Sequence, residues 1–384
     1  MPSNTHHHNT LAPRAGLGFR RELIPDLYQG VPENIGFFEV APENWAGMGG
    51  RAGRDFRAFT ERYPFVCHGL SLSLGGPGPL DEMLLRRTRD FMREHGMRLF
   101  TEHLSWCADD SHLYDLLPIP MTEEAVRYTA ERIARAQDIL GMRIGVENAS
   151  TYIAPPGAEM TEPEFVRAVV ERADCLLHLD VNNIYVNSRN FGFDPYAYLA
   201  QLPLERTCYV HVAGHYVEED GLVIDTHGSD VIDPVWQLLQ AAYQRIGRPV
   251  PTCLERDFNI PDLPTLTQEV AHITRLQQQA FATALPLPRT LAGSSVPTRS
   301  SMRQCPPPTR RPGWRWSSPA PGAGAAAARP RRRAGRPPRG TAAPAAACRA
   351  ASRWPRSKAM TFAVSTSRSA HSITAASTGV GLFQ

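Results

Sequence analysis

Lysine is nearly missing from this sequence: of 384 residues only Lys358 carries a side-chain ammonium, and the remaining basic residues are arginine. Residues 1–289 contain none at all, which argues against a lysine-based phosphate site there, since such sites use a compact ammonium point charge. Acidic residues are missing from the other end, the last being Glu269, while residues 290–384 hold 15 arginines and the lysine. The formal charge of +3 therefore conceals an acidic body, with 25 basic against 38 acidic side chains, and a strongly basic tail. An acidic body argues against nucleic acid as its ligand. No apolar run approaches the ~18 residues of a membrane span. Met1 to Arg14 lacks the apolar stretch of a secretory signal, so the expected location is the cytoplasm. The seven cysteines form no CxxC pair and stand without a secretory signal, which argues against a disulfide framework, and Cys175, Cys208 and Cys253 read as small core residues in apolar runs. No glycine-rich fingerprint follows the first apolar run, which counts against a doubly wound dinucleotide-binding sheet.

What is present alternates. Short apolar runs at Leu17–Phe19, Phe37–Val40, Phe65–Leu70, Leu99–His103, Ile144–Glu147, Cys175–Asp180, Cys208–Val212 and Thr252–Leu254 read as strands. Between them, Leu80–His95, Thr122–Leu140, Thr161–Arg172, Pro195–Gln201, Pro234–Ile246 and Leu263–Gln279 read as helices. Thr122 and Thr161 stand as N-caps before glutamates, and Gly96, Gly141 and Gly247 as C-terminal stops. Eight strands with intervening helices predict an α/β fold, a (β/α)8 TIM-type barrel over residues 15–285. Residues 290–384 turn to Pro, Ala, Arg, Gly and Ser without hydrophobic periodicity, and a disordered basic C-terminal tail is expected. It reads either as a partner-binding segment or, preferably, as out-of-frame translation of GC-rich coding sequence.

In such a barrel the C-terminal strand ends converge on one mouth. Here they carry His68 in VCHGLSLSLGG, Glu102 and His103 in TEHLSW, Glu147 and Asn148 in VENAS, Asp180 and Asn183 in HLDVNN, and His211 and His215 in YVHVAGH. Asp225 and His227 follow in DTHG, then Glu255 and Asp257 in LERD. Imidazoles and carboxylates together suit iron, manganese or zinc, and carboxylates can bridge ions. Eight or so donors exceed what one ion needs, and carboxylates crowded into one mouth resist joint ionisation unless cations offset them. His178 shares a strand face with Asp180 and reads as a pairing partner rather than a ligand. His95 and His112 read as helix-end and loop histidines.

In order and spacing, HGLSLSLGG, EHLSW, VEN, LDVNN, HVAGH, DTHG and LERD resemble the multinuclear non-heme iron-dependent oxidative enzymes, the family of the methanobactin-biosynthesis oxygenase, formerly a domain of unknown function. The resemblance runs from about Gly16 to Gln279. It implies two or three iron ions in a mixed-valence Fe(II)/Fe(III) state, with O2 as co-substrate. It also implies an oxidoreductase that modifies cysteine residues of a ribosomally synthesised precursor peptide, aided by a separate leader-binding partner protein. Carried over motif by motif, the implied ligands are His68, His103, Glu147, Asp180, His211, Asp225, His227 and Glu255, with Glu147 as the bridge. Asn183 and His215 match as ligands or as groups that orient ligands, and Glu43 and Asn44 in APENW as residues near the substrate entrance. Two other readings stay open on the residues: a divalent-metal sugar isomerase or phosphodiesterase on a similar barrel, and a non-catalytic metal-binding scaffold.

Overall fold

The computed structural model describes residues 12–108 and 112–281. The basic tail beyond residue 290 and His6–His8 lie outside the described residues. Eight parallel strands close into one barrel: β1 (Ala15–Gly18), β2 (Phe38–Val40), β3 (Phe65–Gly69), β4 (Phe100–His103), β5 (Gly145–Glu147), β6 (Leu176–Asp180), β7 (Thr207–Ala213) and β8 (Thr252–Glu255). Each strand pairs with its neighbours in sequence, and Gly16 opposite Cys253 joins β1 to β8. All eight strand expectations are met to within a residue or two. Among the described residues no helix is long and apolar enough to cross a membrane.

Because successive strand residues face opposite ways, every second side chain points into the barrel. The inward pairs are Phe37/Glu39, Val66/His68, Thr101/His103, Gly145/Glu147, His178/Asp180, Tyr209/His211 and Cys253/Glu255, each ending in a carboxylate or an imidazole nearer the mouth. Beneath them Phe37, Val66, Leu99, Tyr209 and Cys253 pack into a separate, fully buried apolar floor. Gly16 is required there, since a Cβ would stand 2.4 Å from the Phe37 ring.

The outward residues pack on the helices. Phe19 meets Phe56 and Phe59, and Phe65 meets Phe56, of a helix at Gly50–Thr60 that the sequence pattern did not announce. Two glycines in its eleven residues speak against a helix at roughly 1 kcal/mol each. Burying Phe56 and Phe59 contributes about 1.5–3 kcal/mol apiece and outweighs them. Gly53 also has to be glycine, because its Cβ would fall 2.2 Å from the Met48 carbonyl oxygen.

The expected caps are in place: Ala125 N–H donates to Thr122 Oγ1 at 3.1 Å, Thr161 forms a capping box with Glu164, and Gly141 and Gly247 take left-handed conformations. Two hairpins, Trp106–Ala108 with His112–Leu117 and Tyr216–Val217 with Val223–Ile224, were not anticipated; His112 opens a hairpin strand rather than sitting in a loop. The five cysteines among the described residues are free thiols.

Candidate metal centre

Glu147 ends β5 at the middle of the mouth. Its Oε1 accepts from Asn183 Nδ2 at 3.2 Å, while Oε2 is buried without a hydrogen-bond partner. Three imidazole nitrogens surround that oxygen: His68 Nε2 at 3.2 Å, His178 Nδ1 at 3.4 Å and His103 Nε2 at 3.6 Å. Two of the rings are held from behind. His68 Nδ1 lies 2.7 Å from Thr101 Oγ1, and His103 Nδ1 donates to the Gly69 carbonyl at 3.1 Å, which turns His103 Nε2 toward the mouth, 3.3 Å from His68 Nε2.

Asp180 divides its two oxygens. Oδ1 accepts from Asn183 N–H at 2.6 Å and so caps the helix Val181–Phe191; Oδ2 is buried and unpartnered, 3.9 Å from His211 Nδ1. His211 stands between two carboxylates, with Nε2 2.7 Å from Glu39 Oε2 and Nδ1 2.9 Å from Glu255 Oε2. Further out, His227 Nε2 is 2.8 Å from Asp225 Oδ1 and its Nδ1 2.8 Å from Asp257 Oδ2, while the other Asp257 oxygen, Oδ1, accepts from Arg20 Nε at 2.9 Å. Asp225 also accepts from Ser150 Oγ at 3.0 Å and Asn182 Nδ2 at 2.7 Å.

All eight residues implied as ligands thus converge on the mouth. Of the flanking residues, Asn183 holds Glu147 directly, whereas His215 stacks on Tyr185 and pairs with Asn182 Oδ1 at 2.8 Å, one residue removed from Asp225. Glu43 accepts from Leu70 N–H at 2.9 Å, and Asn44 makes its hydrogen bonds through its backbone, to Ala41 and Arg21. The expected pairing of His178 does not occur, since neither ring nitrogen has a hydrogen-bond partner. Sequence reasoning missed Glu39, Thr101 and Arg20; the one available signal was an ionisable residue inside the apolar run FFEV.

The electrostatics show what the cluster lacks. Burial pushes Glu147 up to about 8 against the pull of His103 and His211, and burial with the Asp225 charge pushes Asp180 up to about 7. Burial drives His68 and His178 well below the usual imidazole range, so both rings are neutral. His211 is raised despite burial, by Glu255 and Glu39. Glu255 is held well below the carboxylate range, burial being outweighed by His211 and His227.

Five side-chain atoms around these residues are buried without partners: Glu147 Oε2, both His178 nitrogens, Asp180 Oδ2 and Asn183 Oδ1. At about 1–3 kcal/mol per orphaned group, their sum rivals the entire ~5–15 kcal/mol stability of a domain. Cations would satisfy them. Four overlapping groups have ligand atoms mutually within 4.8 Å: His68, Glu147, His178 and His211; Asp180, His211 and Glu255; His227, Glu255 and Asp257; and Glu39, His211 and Cys253. The last brings a thiol close to donors read in the sequence as imidazole and carboxylate alone.

A closed (β/α)8 barrel whose mouth gathers donor groups that could hold metal ions defines a metal-competent TIM-barrel protein. Residues 14–278 match the model of the RiPP precursor modification enzymes MbnB/TglH/ChrH, and the chain belongs to that family. It is 62% identical over 266 residues to a UPF0276 protein of Nitrosospira multiformis, covering 69% of this chain and 94% of that one. It is 54% identical over 266 residues to a UPF0276 protein of Pseudomonas aeruginosa strain PAO1, covering 69% and 93%. Among solved structures it is similar to a D-tagatose 3-epimerase-like protein, with a TM-score of 0.46 at 14% identity over 69% of this chain and 98% of that one. It is also similar to endonuclease IV from Thermus thermophilus, with a TM-score of 0.45 at 17% identity over 71% and 100%.

Proposed function

We propose that this chain is an iron-dependent oxidative enzyme that uses O2 to modify cysteine side chains of a ribosomally synthesised precursor peptide. The observation that carries the reading is the set of buried, unpartnered oxygen and nitrogen atoms centred on Glu147 Oε2, in a chain of a precursor-modifying family. His68, His103, Glu147, Asp180, His211, Asp225, His227 and Glu255 would hold two or three irons of mixed valence, Glu147 standing where a bridge is needed. Bound iron supplies Lewis acidity toward a thiol and redox chemistry with O2.

The protein's own contribution is placement. Thr101 and the Gly69 carbonyl fix the His68 and His103 rings, Asn183 fixes one oxygen of Glu147, and Arg20 through Asp257 fixes His227. The apolar floor keeps water from reaching the cluster from below. Substrate approaches from the mouth, where a cleft of about 390 Å³ is lined by Tyr216, Thr226, Gly228, Ser229, Phe258 and Asn259 beside His227. Glu43, pushed up to about 7 by burial and the Glu102 charge, accepts a proton near neutrality beside the entrance. A separate leader-binding protein is the expected partner.

Elemental analysis of protein purified without oxygen from iron-fed cells, with Mössbauer spectra, tests the reading. Two or three irons per chain in mixed valence, and O2 consumption with a cysteine-bearing precursor peptide, are expected. A single zinc or manganese per chain would overturn it.

A further inference from the structure

Deep in the barrel, one tier below Asp180, His178 is fully buried, and no hydrogen-bond donor or acceptor reaches either of its nitrogens. The ring is clamped edge-on to His211 at 4.0 Å, with His68 at 5.1 Å and Tyr209 at 4.8 Å between centroids, so it is not free to turn away. An aliphatic residue is the ordinary filler of a barrel interior. An unpartnered polar ring there is costly, with no return from packing alone.

We propose that His178 is an additional metal ligand, donating Nδ1 to an ion shared with His68, Glu147 and His211 at the deepest position of the site. The inference rests on the reading of the mouth as a metal centre and adds a residue to it. The separations carry it. Two donors each about 2.1 Å from one ion, at angles between octahedral and tetrahedral, stand about 3.0–3.4 Å apart. His178 Nδ1 and His68 Nε2 lie 3.4 and 3.2 Å from Glu147 Oε2. Ligand atoms of all four residues fall within 4.8 Å of one another. A direct hydrogen bond from His178 to Glu147 would be expected at about 2.7–3.2 Å. The neighbouring strand makes room for this. Gly145 lies beside His178, and a Cβ on it would crowd Thr101 at 2.9 Å and meet the His178 Cβ at 3.5 Å. The resulting deep position has three nitrogens and one carboxylate, suited to a divalent transition ion, whereas the outer groups are dominated by carboxylate oxygens.

Cobalt(II) titration of metal-stripped full-length protein is the test, read by stoichiometry and by the visible d–d absorption of bound cobalt. His178→Ala and His178→Gln should each lose one equivalent of cobalt, or bind that equivalent at least tenfold more weakly, with a changed d–d band. His178→Asn, whose amide can reach the place of Nδ1, should recover part of the binding. Wild-type stoichiometry and spectrum in both the Ala and Gln variants would overturn the proposal. If His178→Ala does not fold by circular dichroism, the more nearly isosteric Gln variant decides. A wild-type protein that takes up no cobalt, iron or zinc would instead overturn the metal-centre reading on which this one depends.

Discussion

One carboxylate oxygen, Glu147 Oε2, faces three imidazoles and has no partner of its own. Glu147→Ala should therefore lower metal content by elemental analysis while far-UV circular dichroism stays that of the wild type; unchanged metal content would remove Glu147 from the centre. The metal-free cluster also sets a pH dependence. Glu147 rises from an ordinary 4.5 to about 8 on folding, so its stabilisation is full below pH 4.5 and is lost as pH climbs toward 8. His103 rises from 6.5 to about 9, burial being overcome by Glu147 and Glu102, and its stabilisation likewise fades between those values. Metal-stripped protein should lose stability, on the order of several kcal/mol, between pH 6 and pH 9, read as a falling Tm. Loaded protein should not follow, because deprotonated ligands favour the ion. A Tm of the stripped protein that rises over this range would contradict the assignment. At this scale the sequence was informative where an ionisable residue ended an apolar run, as at His68 or Glu255. It could not connect Glu39 and Arg20 to the site, because their partners His211 and Asp257 lie 172 and 237 residues away and meet them only when the barrel closes.

The helix Val181–Phe191 shows how an element can serve the site and hide from sequence inspection. Its asparagines are poor helix formers, since their side chains compete for backbone groups. Here those side chains are engaged in tertiary contacts, Asn183 with Glu147 and Asn187 with the backbone of Thr151 and Ala149. Asp180 starts the helix while offering its other oxygen to the mouth, and the two roles separate by substitution. Asp180→Asn should keep the cap and the Tm but reduce metal content. Asp180→Ala should lose both, with a cap term of about 1 kcal/mol. Equal Tm values for the two variants would show that the cap carries no weight. At the rim, Phe258 and Tyr216 are half exposed around the cleft beside His227. Phe258→Ala should raise KM for a precursor peptide several-fold with kcat and metal content held, and a fall in kcat alone would argue against peptide contact there. The regular helices were readable because their caps and apolar spacing agree; the Gly50–Thr60 helix was not, because burial of Phe56 and Phe59 overrides its glycines.

For the whole molecule, the alternation of eight apolar runs with amphipathic stretches was enough to anticipate a closed barrel, since few other arrangements bury eight parallel strands. The composition break after Glu269 suggests that the barrel stands alone. A chain ending near residue 284 should remain soluble, with the secondary structure and metal content of the full chain, and aggregation would show that the basic segment is structural. Where the barrel ends below matters as much as where it opens. Among the described residues Phe37, Val66, Leu99, Tyr209 and Cys253 close the bottom, so the interior is a cul-de-sac with its doorway at the mouth. On the proposed function, ions and peptide would share that doorway. A peptide lodged across it would seal the ions inside, slowing their removal by a chelator, and would equally shut out replacements. On the proposed function, metallation would then come before each engagement with substrate, and a barrel that met its peptide empty would stay empty until the peptide left.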